Sequence, residues 1–326
     1  MTLVVLGIDA LDPDLVDSDD HPNLALEAHR SIETIESAEG EPSTHELWPT
    51  IITGLPPAEH GLVLGDDGVA WENPLLSLGS RVADYLLPDS LQTAIGAWLL
   101  TNTSADAFRT PATYYAKNDI ETLFDGREAK AIGIPNYVVD PDDEDREHKL
   151  RQELGDLFQR DPNAKGGHRS SNPTTFYEQC LEMSMVRIAL TRRALRSRSY
   201  ELVFGYTSGL DLVGHVAYQS AGMQDTAYDE LDDFVGELSN DLDPEDELVL
   251  VSDHGLQDGV HTHEAMIAAT DSSLINSVDS VMDVRSAIES ELDEQDHRQD
   301  SSRFNTTSEV DGETVRQQLE NLGYME

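Results

Sequence analysis

LVVLGIDALD, residues 3–12, is an unbroken apolar run that ends on a carboxylate at Asp9. ELVLVSDHG, residues 247–255, has the same form and closes on Asp253 and His254. Apolar runs without polar alternation read as strands buried on both faces, as in a parallel sheet. Ligands of open α/β sheets gather beyond the carboxyl ends of such strands, so acidic and imidazole side chains emerging there suit a cation. A lone strand-ending Asp also caps loops, and Asp9 alone is therefore weak evidence. An Asp-His pair after a strand is more specific.

Further short apolar runs predict strands at Thr93–Leu99, Ala129–Ile134, Leu202–Tyr206 and Ala265–Ala268. Helical patterns lie between them at His21–Arg30, Leu75–Leu87, Thr174–Arg198 and Thr226–Leu238. This alternation predicts an α/β fold, with a mostly parallel central sheet flanked by helices on both faces and a small inserted cap. The catalytic core is expected over residues 1–101 and 200–291. Residues 102–199 read as an inserted, partly helical cap over the carboxyl edge of the sheet. Leu292–Val310 is polar and reads as an acidic linker or disordered loop, followed by a C-terminal helix at Gly312–Leu322. Arg192, Arg193, Arg196 and Arg198 close the long helix, where cations suit the macrodipole.

The 326 residues accommodate one large domain with an insertion or two modest domains. Acidic residues number 64 against 21 basic ones, a net charge of −43 spread along the whole chain. Only Lys117, Lys130, Lys149 and Lys165 supply lysine. Such a surface predicts a halophile, because concentrated salt screens the self-repulsion. It argues against binding a nucleic-acid backbone, which needs clustered Lys and Arg. Cys180, the single cysteine, excludes an intrachain disulfide and a cysteine-based zinc site, and a buried inert thiol is expected. The N-terminal run has no basic leader, and no apolar run approaches the roughly 18 residues of a membrane span. The expectation is a soluble, cytoplasmic protein with no membrane partner.

Asp211 and His215, in GLDLVGHVAY, are spaced i, i+4 and share a face if this segment is helical. A carboxylate and an imidazole so placed make two thirds of a zinc-type site. His261, in DGVHTHEAM, would complete it, with His263 as its competitor two residues away. Thr44 precedes the helical pattern HELWPTIITG and offers a hydroxyl at a helix N-terminus. That position suits plain capping, and it also suits attack on an anion held by free backbone N–H groups. Pro49, early in the helix, removes one i→i−4 bond and predicts a local bend.

Taken in order, GIDALDPD, Thr44-x9-Gly54, Asp211-x3-His215, SDHG and the later G-x-H at His261 resemble the alkaline phosphatase superfamily. Within it the likeness is to the type I phosphodiesterase/nucleotide pyrophosphatase branch, and the closing ETVRQQLENLGY resembles a frequent ending of the superfamily. The resemblance implies a metal-dependent phosphohydrolase with two divalent metal ions, Zn2+ first and Mn2+ second. One ion would be held by Asp211, His215 and His261, the other by Asp9, Asp253, His254 and the Thr44 oxygen. Thr44 would be the nucleophile, through a phospho-threonine intermediate, on a small-molecule phosphate ester or diester. A phosphomonoesterase or phosphomutase is the nearest alternative, and a non-catalytic metal-binding protein that kept the fold is the other. Thr44 excludes the aldehyde hydrate of sulfatases. Gly65 stands where many nucleotide pyrophosphatases carry a phosphate-binding Asn, and Asn73 lies further on. Tyr114, Tyr115, Lys117 and Tyr137 are candidate substrate contacts, or ordinary packing.

Overall fold

The computed structural model describes residues 1–37, 40–63, 110–139 and 148–295. Its centre is a six-stranded sheet of order β2-β10-β7-β1-β6-β3. These strands are β1 (Leu3–Ile8), β2 (Ala28–Glu33), β3 (Ala129–Ile132), β6 (Leu202–Thr207), β7 (Glu247–Val251) and β10 (Glu264–Ala269). Strand β1 pairs in parallel with β6 on one side and β7 on the other, and β3 extends the parallel set beyond β6. Only β10 is antiparallel to its neighbours β7 and β2. Two small hairpins complete the strands, β4 (Phe158–Arg160) with β5 (His168–Ser170) and β8 (Gly255–Gln257) with β9 (Val260–Thr262).

The helices among the described residues are α1 (Pro22–Ala25), α2 (Thr44–Thr53), α3 (Pro57–His60), α4 (Thr113–Lys117), α5 (His148–Leu157), α6 (Pro173–Ser197), α7 (Gly209–Ala217), α8 (Met223–Ser239) and α9 (Val284–Gln295). Strand alternation divides the core into two layers. Val4, Leu6 and Ile8 join the apolar faces of α6, α7 and α8, while Leu3 and Val5 join Leu47, Trp48, Ile51 and Ile52 of α2 and Ile288 and Leu292 of α9. Both faces of β1 are covered, which is why its sequence is apolar without alternation. Gly7 is the exception in side chain, because a Cβ there would lie 2.5 Å from the Trp48 ring. The bare backbone at Gly7 seats the indole and draws α2 onto the strand that carries Asp9.

Several expectations change. His21–Arg30 is not one helix: α1 ends at Ala25, Leu26 takes a positive φ of 51°, and residues 28–33 pair with β10 as β2. Cross-strand pairing along all six positions overrides local helical preference there. Within 102–199, two of the described elements belong to the core. Strand β3 lies in the central sheet, and Met183 and Ile188 of α6 pack in the same layer as Val4 and Leu6. Leu292 does not open a linker; it is buried in α9 at 4% exposure. Thr93–Leu99, Leu75–Leu87, Gly312–Leu322, Gly65 and Asn73 lie outside the described residues. Among the described residues no helix is long and apolar enough to cross a membrane.

Three of the four arginines at the end of α6 pair locally with carboxylates. Arg192 and Arg196 meet Asp241 at 2.7 and 3.0 Å, and Arg198 meets Asp243 at 2.6 Å and also pairs with Asp246. Tyr115 and Tyr137 are buried in the core, and the Tyr114 hydroxyl donates to the His60 carbonyl. Lys117 is exposed and Cys180 buried.

Candidate active site

Asp9 leaves the end of β1, Asp253 and His254 leave the end of β7, and Asp211 sits in the first turn of α7, just past β6. Three adjacent parallel strands thus deliver four of the seven expected residues to one sheet edge. The β8–β9 hairpin brings back His261, and α7 presents His215 one turn beyond Asp211. Thr44 heads α2, which Trp48 holds against β1 and β6 through edge contacts to Phe204 and Tyr206. Pro49 sits within α2 and cannot donate to the His45 carbonyl; Asn136 Nδ2 supplies that bond at 2.9 Å. The first turn of α2 is thereby tied to the loop after β3.

The seven residues converge. Asp211 Oδ1 lies 3.3 Å from His215 Nε2 and 3.4 Å from His261 Nε2, and the two imidazole nitrogens are 3.2 Å apart. His254 Nε2 lies 3.4 Å from Asp9 Oδ1 and 3.5 Å from Asp253 Oδ2. The Thr44 hydroxyl donates to Asp9 Oδ1 at 3.3 Å and lies 3.3 Å from His254 Nε2. Asp211 belongs to both groups, since Asp9, Asp211 and His254 also bring ligand atoms within 4.8 Å of one another. His263 stands apart on the surface, 3.3 Å from Glu36.

The second nitrogens fix the chemistry of the first. His215 Nδ1 lies 3.3 Å from the Gly259 carbonyl, His254 Nδ1 3.1 Å from that of Gly255, and His261 Nδ1 3.1 Å from that of Pro42. A carbonyl only accepts, so each Nδ1 carries the proton and donates it. Each Nε2 is thereby turned into the acidic cluster, the outer-shell pattern of metal-binding histidine.

Electrostatics agree. Burial, reinforced by the charge of Asp211, pushes the Asp9 carboxyl up to about 7. Burial and the charge of Asp9 raise Asp253 well above the carboxylate range. Both Asp253 oxygens are buried without a hydrogen-bond partner. Burial would raise Asp211 as well, but His215, His261 and His254 outweigh it and hold its carboxyl well below the usual range. His254 is pushed down to about 3 by burial, so it is neutral. Asp9 and Asp253, two buried carboxyls beside the neutral imidazole of His254, need positive charge to ionise, and divalent cations with oxygen and nitrogen ligands would supply it.

Two supporting residues escape sequence reading. The Tyr206 hydroxyl donates to Asp9 Oδ2 at 2.5 Å, orienting that carboxylate. Buried Asp12 accepts from Gln257 Nε2 at 3.1 Å and Thr262 Oγ1 at 3.0 Å, pinning the hairpin that carries His261. The i+3 offset from Asp9 in IDALD was the available signal for Asp12. Tyr206 had none, because a tyrosine in an apolar strand reads as core.

Among solved structures, the chain is similar to murine ectonucleotide pyrophosphatase/phosphodiesterase 5, with 16% identity and a TM-score of 0.41 over 78% of this chain. It spans 57% of that murine protein. It is also similar to PH0037 protein from Pyrococcus horikoshii, with 12% identity and a TM-score of 0.44 over 94% of this chain and 98% of the other. A third likeness is to alkaline phosphatase from the Antarctic bacterium TAB5, with 12% identity and a TM-score of 0.43 over 90% of this chain and 97% of the other. No curated protein sequence matches the chain. Residues 3–317 match the model of type I phosphodiesterase/nucleotide pyrophosphatase, and the chain belongs to that family.

Proposed function

We propose that this chain hydrolyses a phosphodiester or pyrophosphate-type bond of a small molecule, with Thr44 as nucleophile. In this reading Asp211, His215 and His261 hold one divalent cation, and Asp9, Asp253, His254 and the Thr44 oxygen hold a second. Zinc suits the donors best and manganese next. When bound, such cations neutralise phosphoryl charge and favour ionisation of a coordinated hydroxyl. The observation that carries the proposal is the common arrangement of His215, His254 and His261, each tethered through Nδ1 and each turning Nε2 into one carboxylate cluster beside the Thr44 hydroxyl.

The residues divide the work. Thr44 Oγ1 attacks phosphorus in line, so the Oγ1–P bond forms as the ester P–O bond breaks. Its proton has an acceptor in Asp9 Oδ1 at 3.3 Å and ends on the departing alcohol. Ser43, at the N-cap of α2, makes no side-chain cap hydrogen bond, which leaves the positive end of the helix to the phosphoryl oxygens. Water then attacks phosphorus, the P–Oγ1 bond breaks, and Thr44 regains a proton. The acidic surface suits a protein working in concentrated salt.

The test is Thr44→Ala, loaded with zinc and assayed in high salt on bis-p-nitrophenyl phosphate. Turnover and covalent phosphoprotein are expected to vanish while metal content stays near two per chain. Undiminished turnover removes Thr44 from the mechanism. A clear preference of the unmodified protein for p-nitrophenyl phosphate would replace the diesterase reading by a monoesterase.

A further inference from the structure

Two small hairpins meet tip to tip beside the Asp211, His215 and His261 group. One is β8–β9, whose two-residue turn, Asp258-Gly259, has φ values of 57° and 84°. Positive φ at both central residues suits the tight primed turn of a two-residue hairpin loop. The Gly259 carbonyl in this turn accepts from His215 Nδ1 at 3.3 Å. The other is β4–β5, whose tip carries Gly166 at a φ of 67°. A Cβ on Gly166 would fall 1.9 Å from the Gly259 oxygen and 2.6 Å from its carbonyl carbon. Backbone thus packs on backbone at the carbonyl that orients His215, and a glycine is what permits the approach. Lys165 Nζ and Asp258 Oδ2, 2.8 Å apart, join the two tips at an exposed edge.

The β4–β5 hairpin also reaches the ring of His215. Phe176 of α6, Phe158 and His168 form a column of near-parallel rings, with centroids 5.4 and then 4.8 Å apart and interplanar angles of 8° and 13°. Phe176 is fully buried and anchors one end of the column in the core. At the other end His168 meets the His215 ring edge-on, with centroids 5.0 Å apart. His168 is held in turn, because its Nδ1 donates to the Gly166 carbonyl at 3.0 Å. The hairpin is also bonded to the residues that follow α7. The Tyr218 hydroxyl donates to the His168 carbonyl at 2.8 Å, and Ser170 and Gln219 exchange bonds of 2.7 and 3.2 Å.

A two-stranded hairpin is marginal on its own in water. Strands β8 and β9 pair over only three residues each, yet they present His261 and hold the acceptor of His215. On the two-cation reading of the site, we propose that Gly166 and His168 are positioning residues for the ion of Asp211, His215 and His261. Gly166 sets the Gly259 carbonyl that turns His215, and His168 sets the plane of the His215 ring. The Asp9, Asp253 and His254 group is fixed instead by β1 and β7, so a change in the hairpin should act on one ion and spare the other.

Zinc affinity, read by competitive chelator titration of both equivalents, tests this separately from turnover. Gly166→Ala should weaken one equivalent about 10–100-fold, the scale for an outer-shell partner, and leave the other within about twofold. His168→Ala should weaken the same equivalent about tenfold, and His168→Phe, which keeps an aromatic ring against His215, should restore it to within about threefold. In a His261→Ala background, which lacks this ion, Gly166→Ala should change the remaining affinity by less than about twofold. Unchanged affinity in Gly166→Ala and His168→Ala overturns the proposal. So does an equal loss at both equivalents, which marks general loosening of the fold, and so does a His168→Phe protein no better than His168→Ala. The His168 pair decides alone if Gly166→Ala does not fold. An unmodified protein that binds two zinc ions without turning over bis-p-nitrophenyl phosphate breaks the phosphodiester reading only; one that binds fewer than two overturns both.

Discussion

The two donor groups of the site are built on opposite principles. Asp211, His215 and His261 balance one another: one carboxylate faces two imidazoles, and their side chains keep 13–17% exposure. Asp9, Asp253 and His254 are sealed, with side chains at most 2% exposed, and carry two carboxylates against one neutral imidazole. In the first group the neighbouring imidazoles hold Asp211 ionised against burial; in the second, burial pushes both carboxyls at the ends of β1 and β7 upward. Their scaffolds differ correspondingly. The balanced group rides on a helix and a hairpin, whereas the sealed group is fixed at the ends of two adjacent buried strands, β1 and β7. A site assembled this way stores its need for cations in the sealed half.

The sharpest break of this comparison pairs Asp253→Asn with His261→Ala. Asp253→Asn should lower turnover by about 10³-fold, since it removes a charged donor at the reacting centre. In chelator the same variant should be at least as stable as the unmodified protein, because a buried carboxyl with no hydrogen-bond partner is exchanged for a neutral amide. His261→Ala should lower turnover by about 10²-fold, halve the metal content and leave the chelated protein slightly less stable, as its ion pair with Asp211 is lost. Elemental analysis and thermal unfolding with and without chelator measure both. Loss of stability in chelated Asp253→Asn comparable to that of a core truncation would show that the carboxylate is structurally satisfied.

Stability against pH separates the groups next. Asp9 and Asp253 have folded pKa values raised from 3.8, to about 7 for Asp9 and well above the carboxylate range for Asp253. Groups raised on folding stabilise fully below their unfolded value and lose that contribution as pH rises through the folded one. His254, His45 and His60 act in the other direction. Their folded values are lowered from 6.5 to about 3, 4 and 4, so their contribution is full above 6.5 and is lost as pH falls towards 4. Above pH 6.5 these three histidines are neutral in both states, and the carboxylates act together with His215 and His261, which burial would lower but Asp211 raises above 6.5. Chelated protein should therefore lose on the order of a few kcal/mol between pH 6.5 and 8.5, and zinc-loaded protein should not. A flat profile for the chelated protein would mean that the sealed carboxylates ionise without cost.

Tyr206→Phe probes the sealed half more gently. The phenol donates to Asp9 Oδ2 and counters the upward shift of that carboxyl. Removing the hydroxyl while keeping the ring against Trp48 should weaken metal binding about 10–100-fold, the usual scale for an outer-shell donor. A competitive chelator titration reads this, and unchanged affinity would reduce Tyr206 to packing.

What could be read in the sequence follows the same division. The sealed group was legible because LVVLGID and ELVLVSD place carboxylates directly after doubly buried strands, and burial is what an apolar run encodes. Asp211 and His215 were legible because i, i+4 spacing becomes proximity on a helix. The carbonyls of Pro42, Gly255 and Gly259 that orient the imidazoles were not, since backbone acceptors have no residue signature. Strand β2 was missed because its pairing with β10 is contributed by residues more than two hundred positions away.

The smallest effect is expected at His263, two residues from His261 and indistinguishable from it by residue type. Strand geometry separates them. Residues i and i+2 share a face only while the strand continues, and β9 ends at Thr262 before the chain turns into β10 at Glu264. His261 remains on the inner side of the hairpin, 3.2 Å from His215 Nε2, while His263 leaves with the turn and pairs with Glu36 at an exposed site. An exposed pair of this kind contributes little to stability. His263→Ala should therefore change turnover by less than twofold and stability by less than about 0.5 kcal/mol, with metal content unaltered. Loss of a metal equivalent in His263→Ala would transfer the third ligand of the balanced group from His261 to His263, and with it the hairpin register that separates the two.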